Sequence, residues 1–219
     1  MIIVGITGSV ASGKNFITKI FEKFHFAIFD ADLEISNILL EEEIIIKIND
    51  CFSELNNNKS INKKLLAEIV FSNKEKLKLL EEITHPALHQ KYQNFIKNCE
   101  IDNKKFIALN IPLLIEKNNY KCSRIVSAIC NHQTQKRRFI SREILKFKHQ
   151  NHKNKIGKQK IKELILFFTE KFYKITNNQL NNRKRLIASD FIINTSKSRA
   201  ETVKQTRKII RKLMAEIRF

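Results

Sequence analysis

The N-terminal segment, residues 2–15, constrains the fold more than any other part of the chain. A short apolar strand pattern runs into Gly-x-x-x-x-Gly-Lys from Gly8 to Lys14, and a helical pattern follows from Phe16 to Phe24. The two glycines allow the backbone to turn tightly, so that successive N–H groups converge on an anion. The helix N-terminus and the lysine ammonium add positive charge at the same place. The segment therefore predicts a phosphate-binding loop.

The residue after the lysine departs from the usual pattern. A Ser or Thr commonly stands there and its hydroxyl binds Mg²⁺, whereas this chain has Asn15. An amide oxygen is also a ligand for a hard cation, with a different reach and geometry. Either Asn15 binds Mg²⁺ directly or through water, or the metal site is weakened. We favour the first interpretation because the rest of the loop is intact.

Composition limits the class of protein. The 219 residues, 42% of them hydrophobic, suit one α/β domain with a small lid insertion. No run approaches the roughly 20 apolar residues that cross a membrane, and the N-terminal apolar run enters the phosphate loop, so we expect no signal peptide and no membrane partner. The four cysteines show no close spacing. They are typical of reduced thiols, and we expect a cytoplasmic protein.

The net charge of +19 suggests a nucleic acid or another polyanion as partner. However, the chain is rich in Asn and Ile and has four Gly, two Pro and no Trp. This joint bias is typical of an AT-rich coding genome, in which lysine replaces arginine throughout. The lysines are also spread along the chain. We therefore do not expect a nucleic acid partner, although a polyanionic small substrate would benefit from the same field.

Apolar runs alternate with helical patterns along the chain. After the first strand, they occupy residues 26–29, 106–109, 124–129 and 191–193. Five such strands alternating with helices imply a parallel sheet covered on both faces. Among the helical patterns, we predict N-caps at Asn62 and Asn73, one helix over residues 33–48, a helix interruption at Pro86, and a mobile basic loop over residues 146–160.

Two clusters of charged residues are candidates for catalysis. Asp32 follows the second apolar run, at the kind of strand end where ligand clefts open. It is interpreted as catalytic, with an N-cap role as the alternative, and for Asp30 the preference is reversed. Arg138 and Arg142 are four residues apart and so share one helix face. Two guanidinium groups on one face suit a phosphate, and the alternative is a solvated basic helix.

Taken in order, these blocks resemble the dephospho-coenzyme A kinase family, a member of the P-loop nucleoside-monophosphate-kinase-like group. The resemblance rests on residues 5–14, Asp30–Asp32, His85-Pro86, residues 111–116, the set Gln135, Arg138 and Arg142, and the set Gln179, Arg185 and residues 190–194. It spans nearly the whole chain. Departures from the family pattern are Asn15, Ser9 in place of a second Gly, Asn110 in place of a frequent acidic residue, and a long stretch from Lys146 to Asn178.

The resemblance implies an α/β fold: a P-loop three-layer sandwich with a five-stranded parallel sheet flanked by helices, a helical acceptor-binding region and a lid. We expect a single P-loop kinase domain over residues 1–219. Its core would comprise about residues 1–32, 105–135 and 188–219, its acceptor-binding helical region about 33–104, and its basic helix and lid about 136–187.

The resemblance also implies a function, ATP-dependent phosphorylation of the ribose 3′-hydroxyl of dephospho-CoA. The products are CoA and ADP, the reaction is the last step of coenzyme A biosynthesis, and Mg²⁺ is the cofactor. One alternative is another small-molecule P-loop kinase, with a nucleoside, nucleotide or shikimate-like acceptor. A second is a catalytically weakened nucleotide-binding regulator or nucleic-acid-binding module, whose RNA binding would fall steeply with salt.

Site residues follow from the matched motifs. Catalysis is assigned to Lys14, Asp32 and Arg138, with Asp32 accepting the hydroxyl proton. ATP binding is assigned to Gly8, Ser9, Ala11, Ser12, Gly13, Lys14, Asn15, Phe16 and Arg142, and Mg²⁺ to Asn15. Acceptor binding is assigned to Thr7, Asp32, His85, Pro112 and Arg138. Alternatives stay open for His85, which packing at a kink would explain, and for Pro112, which would terminate a strand. His85 and His89 lack a third ligand, so no zinc is expected.

Overall fold

The structure is a computed structural model that describes residues 1–55, 60–117, 119–150 and 156–216. Its strands are β1 (Ile2–Gly8), β2 (Ala27–Asp30), β3 (Phe106–Asn110), β4 (Arg124–Ile129) and β5 (Phe191–Asn194). Its α-helices are α1 (Lys14–Lys23), α2 (Ala31–Ile38), α3 (Glu42–Cys51), α4 (Lys63–Ser72), α5 (Lys74–Ile101), α6 (Leu114–Lys117), α7 (His132–Gln150), α8 (Lys158–Asn177), α9 (Asn182–Ile187) and α10 (Arg199–Ala215).

The strands form a five-stranded sheet in the order β2-β3-β1-β4-β5. Strand β1 pairs in parallel with β3 and with β4, and β4 pairs in parallel with β5. Gly8 lies opposite Ala128, and Ile129 lies opposite Asn194. The carboxyl ends of β1, β4 and β5 therefore meet at one edge of the sheet. The predicted α/β fold with a parallel sheet is confirmed.

The chain divides into two compact units, Met1–Ile28 with Lys105–Phe219, and Phe29–Lys104. In the first unit, helices α1 and α10 cover one face of the sheet, where Val4 and Ile6 of β1 pack against both helices in the main hydrophobic core. Gly5, between them in the strand, faces the other side, and a Cβ there would collide with Leu114 of α6. Both faces of β1 are thus covered, as a buried parallel strand requires.

The second unit is helical and contains α2 to α5. Asn62 and Asn73 cap helices α4 and α5, as predicted, and each side-chain oxygen accepts bonds from two backbone N–H groups of the first turn. Helix α5 packs against α2, α3 and α4. The unit is therefore organised around its longest helix.

Two predictions in the second unit were wrong. Residues 33–48 do not form one helix, because α2 ends at Ile38 and α3 begins at Glu42 after an extended Glu41. Helix α2 buries Ile38, and helix α3 buries Ile44. Pro86 does not interrupt α5, which runs through it for 28 residues. Proline removes one backbone hydrogen bond, and burial of Thr84 and Leu88 on either side of it holds the remaining turns in place.

The predicted loop over residues 146–160 is helical at both ends. Helix α7 continues to Gln150 and α8 begins at Lys158, whereas residues 151–155 lie outside the described residues. An apolar cluster of Phe139, Leu164, Phe168 and Phe172 joins the two helices. Phe147, which lies within the predicted loop, also packs against this cluster, so apolar packing extends α7 into sequence that is polar and basic. In the described ranges, no helix has the length and apolar character that a bilayer span requires.

Candidate functional site

The loop between β1 and α1 has the geometry that its two glycines predict. Gly13 precedes α1 in a left-handed conformation, with φ 91° and ψ 13°. A Cβ at Gly8 would lie 2.5 Å from the Ser12 Oγ and 2.7 Å from the Ala128 carbonyl oxygen. Only glycine suits either position without strain. The backbone can therefore turn from the strand end directly into the helix N-terminus.

Polar side chains at the loop are buried. Lys14 is the first residue of α1 and is buried, whereas its neighbour Asn15 is exposed. The hydroxyls of Thr7 and Ser12 are also buried, and neither has a hydrogen-bond partner among the described residues. A buried hydroxyl without a partner costs about 1–3 kcal/mol. The positive end of α1, a buried lysine and these hydroxyls together favour a polar, anionic ligand.

Two glutamines, one on α7 and one just after α8, form hydrogen bonds with Ser9 and Val10 of the loop. Gln135, near the start of α7, donates to the Ser9 hydroxyl at 2.5 Å and to the Val10 carbonyl at 3.1 Å. Gln179, after the end of α8, accepts from the Val10 N–H at 3.0 Å. Val10 and Ala11 also pack against the apolar cluster of this helix pair. The phosphate loop and the predicted lid are therefore connected by hydrogen bonds and by apolar contact.

Arg138 of α7 contacts Thr195, which in turn contacts the phosphate loop. Its guanidinium donates to the Thr195 hydroxyl at 3.0 Å and to the Thr195 carbonyl at 2.7 Å. The Thr195 hydroxyl in turn donates to the Ser12 carbonyl at 2.5 Å. The structure thus brings Arg138 to the phosphate loop through one intervening side chain, and the arginine, which is partly buried, keeps further N–H donors.

Arg142 is one helical turn further along α7 and is exposed. It pairs with Glu143 at 3.3 Å and lies over the Phe139 ring at 5.5 Å. Burial raises the pKa of Glu143, but the neighbouring cations Lys146 and Arg142 outweigh it, so that this pKa is lowered overall. The carboxylate therefore stays charged and partly neutralises Arg142. The predicted ATP contact of Arg142 stays a prediction.

Three other predicted residues lie at the ends of strands or in the core of the first unit. Thr7 is fully buried in β1, next to Gly8. Phe16 is half-buried against the main core. Pro112 follows the end of β3, and the next residue, Leu113, has a φ of 54°. The Pro-Leu turn is thus strained at the edge of the sheet where parallel strands end.

The second unit contains the remaining predicted residues. Asp30 caps α2, because its carboxylate accepts from the Leu33 N–H at 3.2 Å, so the cap role preferred for Asp30 is confirmed. Asp32 lies in the first turn of α2 and is exposed, and the cap alternative for Asp32 is wrong. His85 is half-buried within α5, one residue before Pro86. In the described ranges, no group of three or more His, Cys, Asp or Glu side chains could hold a metal ion.

One residue of the site was not predicted, Thr195. It follows β5, and its bond to Ser12 spans 183 positions of the chain. Its only sequence signal is its place just after an apolar run, as for Asp32. The order of the strands, which the sequence does not state, places this strand end beside the loop.

The strand, the glycine-bearing loop and the buried lysine at the helix start define a P-loop protein. A family model described as dephospho-CoA kinase matches residues 2–164. The dephospho-CoA kinase of Bartonella quintana is 30% identical over 215 residues, which cover 98% of this chain and 99% of that relative. That of Fusobacterium nucleatum is 30% identical over 209 residues, 94% of this chain and 95% of the relative. The chain belongs to the dephospho-CoA kinase family and is a kinase.

Solved structures support the same fold. A crystal structure from Thermus thermophilus matches with a TM-score of 0.72 and 20% identity, covering 98% of this chain and 97% of that one. The dephospho-CoA kinase from Campylobacter jejuni matches with a TM-score of 0.60 and 22% identity, covering 96% of each chain. At these identities the likeness concerns the fold.

Proposed function

We propose that this protein transfers the γ-phosphoryl group of ATP to the ribose 3′-hydroxyl of dephospho-CoA, giving CoA and ADP in the cytoplasm. The observation that carries the proposal is the phosphate loop, with a left-handed Gly13, a buried Lys14 and two buried hydroxyls without partners among the described residues. The identity of the acceptor, dephospho-CoA, is inferred from the family to which the chain belongs. Phosphoryl transfer depends mostly on positioning and on charge stabilisation, and this loop is suited to both.

ATP binding is assigned to the loop. The Gly13 N–H and the N-terminal turn of α1 face the phosphates, and Lys14 neutralises charge on the β- and γ-phosphates. The buried hydroxyls of Thr7 and Ser12 gain polar partners when a ligand with its water enters. Arg138 adds a positive charge behind the loop, and its remaining N–H donors are suited to phosphate oxygens.

The donor set at the loop fits Mg²⁺. This ion keeps several waters and takes one or two protein oxygens together with substrate phosphates. Asn15, exposed in the first turn of α1, offers one amide oxygen beside Lys14. Bound there, Mg²⁺ would neutralise negative charge on the β- and γ-phosphate oxygens. No dedicated cluster of acidic side chains is required for this role.

The acceptor is assigned to a second set of residues. Asp32 accepts the proton of the attacking hydroxyl, as a general base. Its position in the first turn of α2 leaves the carboxylate exposed while Asp30 provides the cap. Thr7, His85, Pro112 and Arg138 are proposed to contact dephospho-CoA. These roles rest on the match to the family's motifs.

The proposal is tested by incubating purified protein with ATP, Mg²⁺ and dephospho-CoA, and by measuring CoA and ADP in coupled assays. We expect equimolar CoA and ADP. A screen with nucleosides, nucleotides and shikimate as acceptors covers the other small-molecule kinases. Folded protein that binds ATP but phosphorylates another acceptor in preference would contradict the proposed substrate. Failure to form CoA with any divalent metal would contradict the reaction.

Replacing Asn15 by Thr or Leu tests the metal assignment. Thr restores the usual hydroxyl, and we expect half-maximal rate at an equal or lower Mg²⁺ concentration. Leu has a similar shape but no oxygen ligand, and we expect it to require more Mg²⁺. Because Asn15 is exposed, both variants should fold. Equal Mg²⁺ dependence of the Asn15→Leu variant and the wild-type enzyme would show that Asn15 is not a ligand, and complete loss of activity in Asn15→Thr would show a specialised role for the amide.

A further inference from the structure

Thr195 connects the end of β5 to the phosphate loop and is 3% exposed. Its N–H donates to the Ile129 carbonyl at 2.9 Å, which extends the pairing between β4 and β5 by one residue. Its hydroxyl donates to the Ser12 carbonyl and accepts from Arg138. A hydroxyl has one proton, and two carbonyls lie within its reach, that of Ser12 at 2.5 Å and that of Ile129 at 3.3 Å. The shorter distance assigns the proton to the Ser12 carbonyl. The charged donor on its oxygen polarises the hydroxyl and strengthens its bond to the loop.

The bond to Ser12 determines the direction of a neighbouring N–H. In a trans peptide, the carbonyl and the N–H of the following residue point in opposite directions. Thr195 holds the Ser12 carbonyl, so the Gly13 N–H of the same peptide unit points away from Thr195. Gly13 is the residue before α1, where N–H groups face an anion.

Thr195 also lies against the Gly13 backbone. A Cβ at Gly13 would be 3.3 Å from both the Cγ2 and the Oγ1 atoms of Thr195. Gly13 has a left-handed φ of 91°, which glycine adopts without strain, and no Cβ separates its backbone from the Thr195 side chain. The loop is thus held by contact at Gly13 and by a hydrogen bond at Ser12, both from one side chain.

We propose that Thr195 is a positioning residue for nucleotide binding: through the Ser12 carbonyl it directs the Gly13 N–H at the phosphates of the nucleotide. The proposal deepens the proposed function and rests on its nucleotide-binding part, but not on the identity of the acceptor. Arg138 donates to the Thr195 hydroxyl and so fixes its rotamer and polarises it. Gln135 and Gln179 hold Ser9 and Val10, whereas Thr195 holds the peptide that immediately precedes the helix.

The test compares Thr195→Val, Thr195→Ser and Thr206→Val. Valine keeps the shape and removes the hydroxyl, and serine keeps the hydroxyl. Thr206 is the matched control, because it is also fully buried and also donates to a backbone carbonyl, that of Thr202 at 2.7 Å, but it lies on α10. ADP binding is measured by calorimetry, and KM for ATP and for dephospho-CoA by the coupled assay.

We expect Thr195→Val to bind ADP roughly tenfold more weakly and to raise KM for ATP by a similar factor, with KM for dephospho-CoA unchanged. Thr195→Ser should bind ADP as the wild type does, and so should Thr206→Val. If valine at position 195 does not fold, Thr195→Ala removes the same hydroxyl and gives the same comparison against Thr195→Ser.

Three results would overturn the inference. A folded Thr195→Val protein with wild-type ADP affinity would show that the hydroxyl does not direct the loop. Equal weakening in Thr206→Val would show that loss of a buried hydroxyl bond acts through stability. Wild-type protein that does not bind ADP at all would contradict the proposed function as well, and this result is separate because it appears before any variant is compared.

Discussion

Lys14→Ala is expected to lower kcat for CoA formation by about 10³-fold. Removal of one preorganised donor from a site where charge develops costs about 10²–10³ in kcat. Lys14 carries a full charge, is buried, and stands at the positive end of α1, so the upper part of this range applies. ADP affinity should fall as well, because the ammonium contacts the phosphates in both ground and transition states. The measurement is the coupled assay at saturating ATP, with calorimetry for ADP.

Two further variants separate the role of the Lys14 ammonium from general effects of charge. Lys19→Ala removes one charge from an exposed position of the same helix, and we expect at most about a twofold change in rate. Lys14→Arg keeps the charge but replaces a compact ammonium by a planar guanidinium, and we expect a large loss. Near-normal activity in folded Lys14→Ala, or equal losses in Lys14→Ala and Lys19→Ala, would remove Lys14 from the mechanism.

The parts of the structure that depend on local backbone chemistry could be predicted from the sequence. The phosphate loop depends on two glycines. The neighbours of Gly8 leave no room for a Cβ, and Gly13 has a positive φ. The caps at Asn62 and Asn73 depend on side-chain oxygens that reach the next two or three N–H groups. The five strands follow from short apolar runs, and their parallel pairing follows from the helices between them.

The parts that depend on packing could not be predicted from the sequence. Nothing local separates α2 from α3, because the intervening Leu39, Leu40 and Glu41 include no glycine or proline. Conversely, Pro86 is a strong local signal for a break, yet contacts of α5 with three other helices keep it continuous. Packing energy summed along a long helix exceeds the roughly 3 kcal/mol penalty of one proline.

The hydrogen bonds that hold the phosphate loop from neighbouring elements could not be predicted from the sequence either. Gln135 and Gln179 were recognised from their motifs, but without the bonds to Ser9 and Val10 that give them a physical role. Thr195 required knowledge that β5 is the neighbour of β4, which is the neighbour of β1. Strand order arises from the packing of the whole sheet. Residues at strand ends can therefore be predicted as candidates, but the loop that each one contacts cannot.

Asp32→Asn is expected to lower kcat by about 10²–10⁴-fold while leaving ATP binding unchanged. This range is typical of a lost general base, and asparagine retains the size of the side chain but cannot accept the hydroxyl proton. Because Asp32 is exposed and does not cap α2, the substitution should have little effect on the free energy of unfolding. The measurement combines kcat from the coupled assay with ATP affinity from calorimetry.

Asp30→Asn is the matched control for this second prediction. It removes a charge two residues away, at the start of the same helix, but asparagine is as good an N-cap as aspartate and can still accept from the Leu33 N–H. We therefore expect Asp30→Asn to retain most of the wild-type kcat. An unchanged kcat in Asp32→Asn would leave that carboxylate without a catalytic role. Equal losses in both variants would instead show that the enzyme responds to the negative charge at the start of α2, because only one of the two carboxylates can be the base.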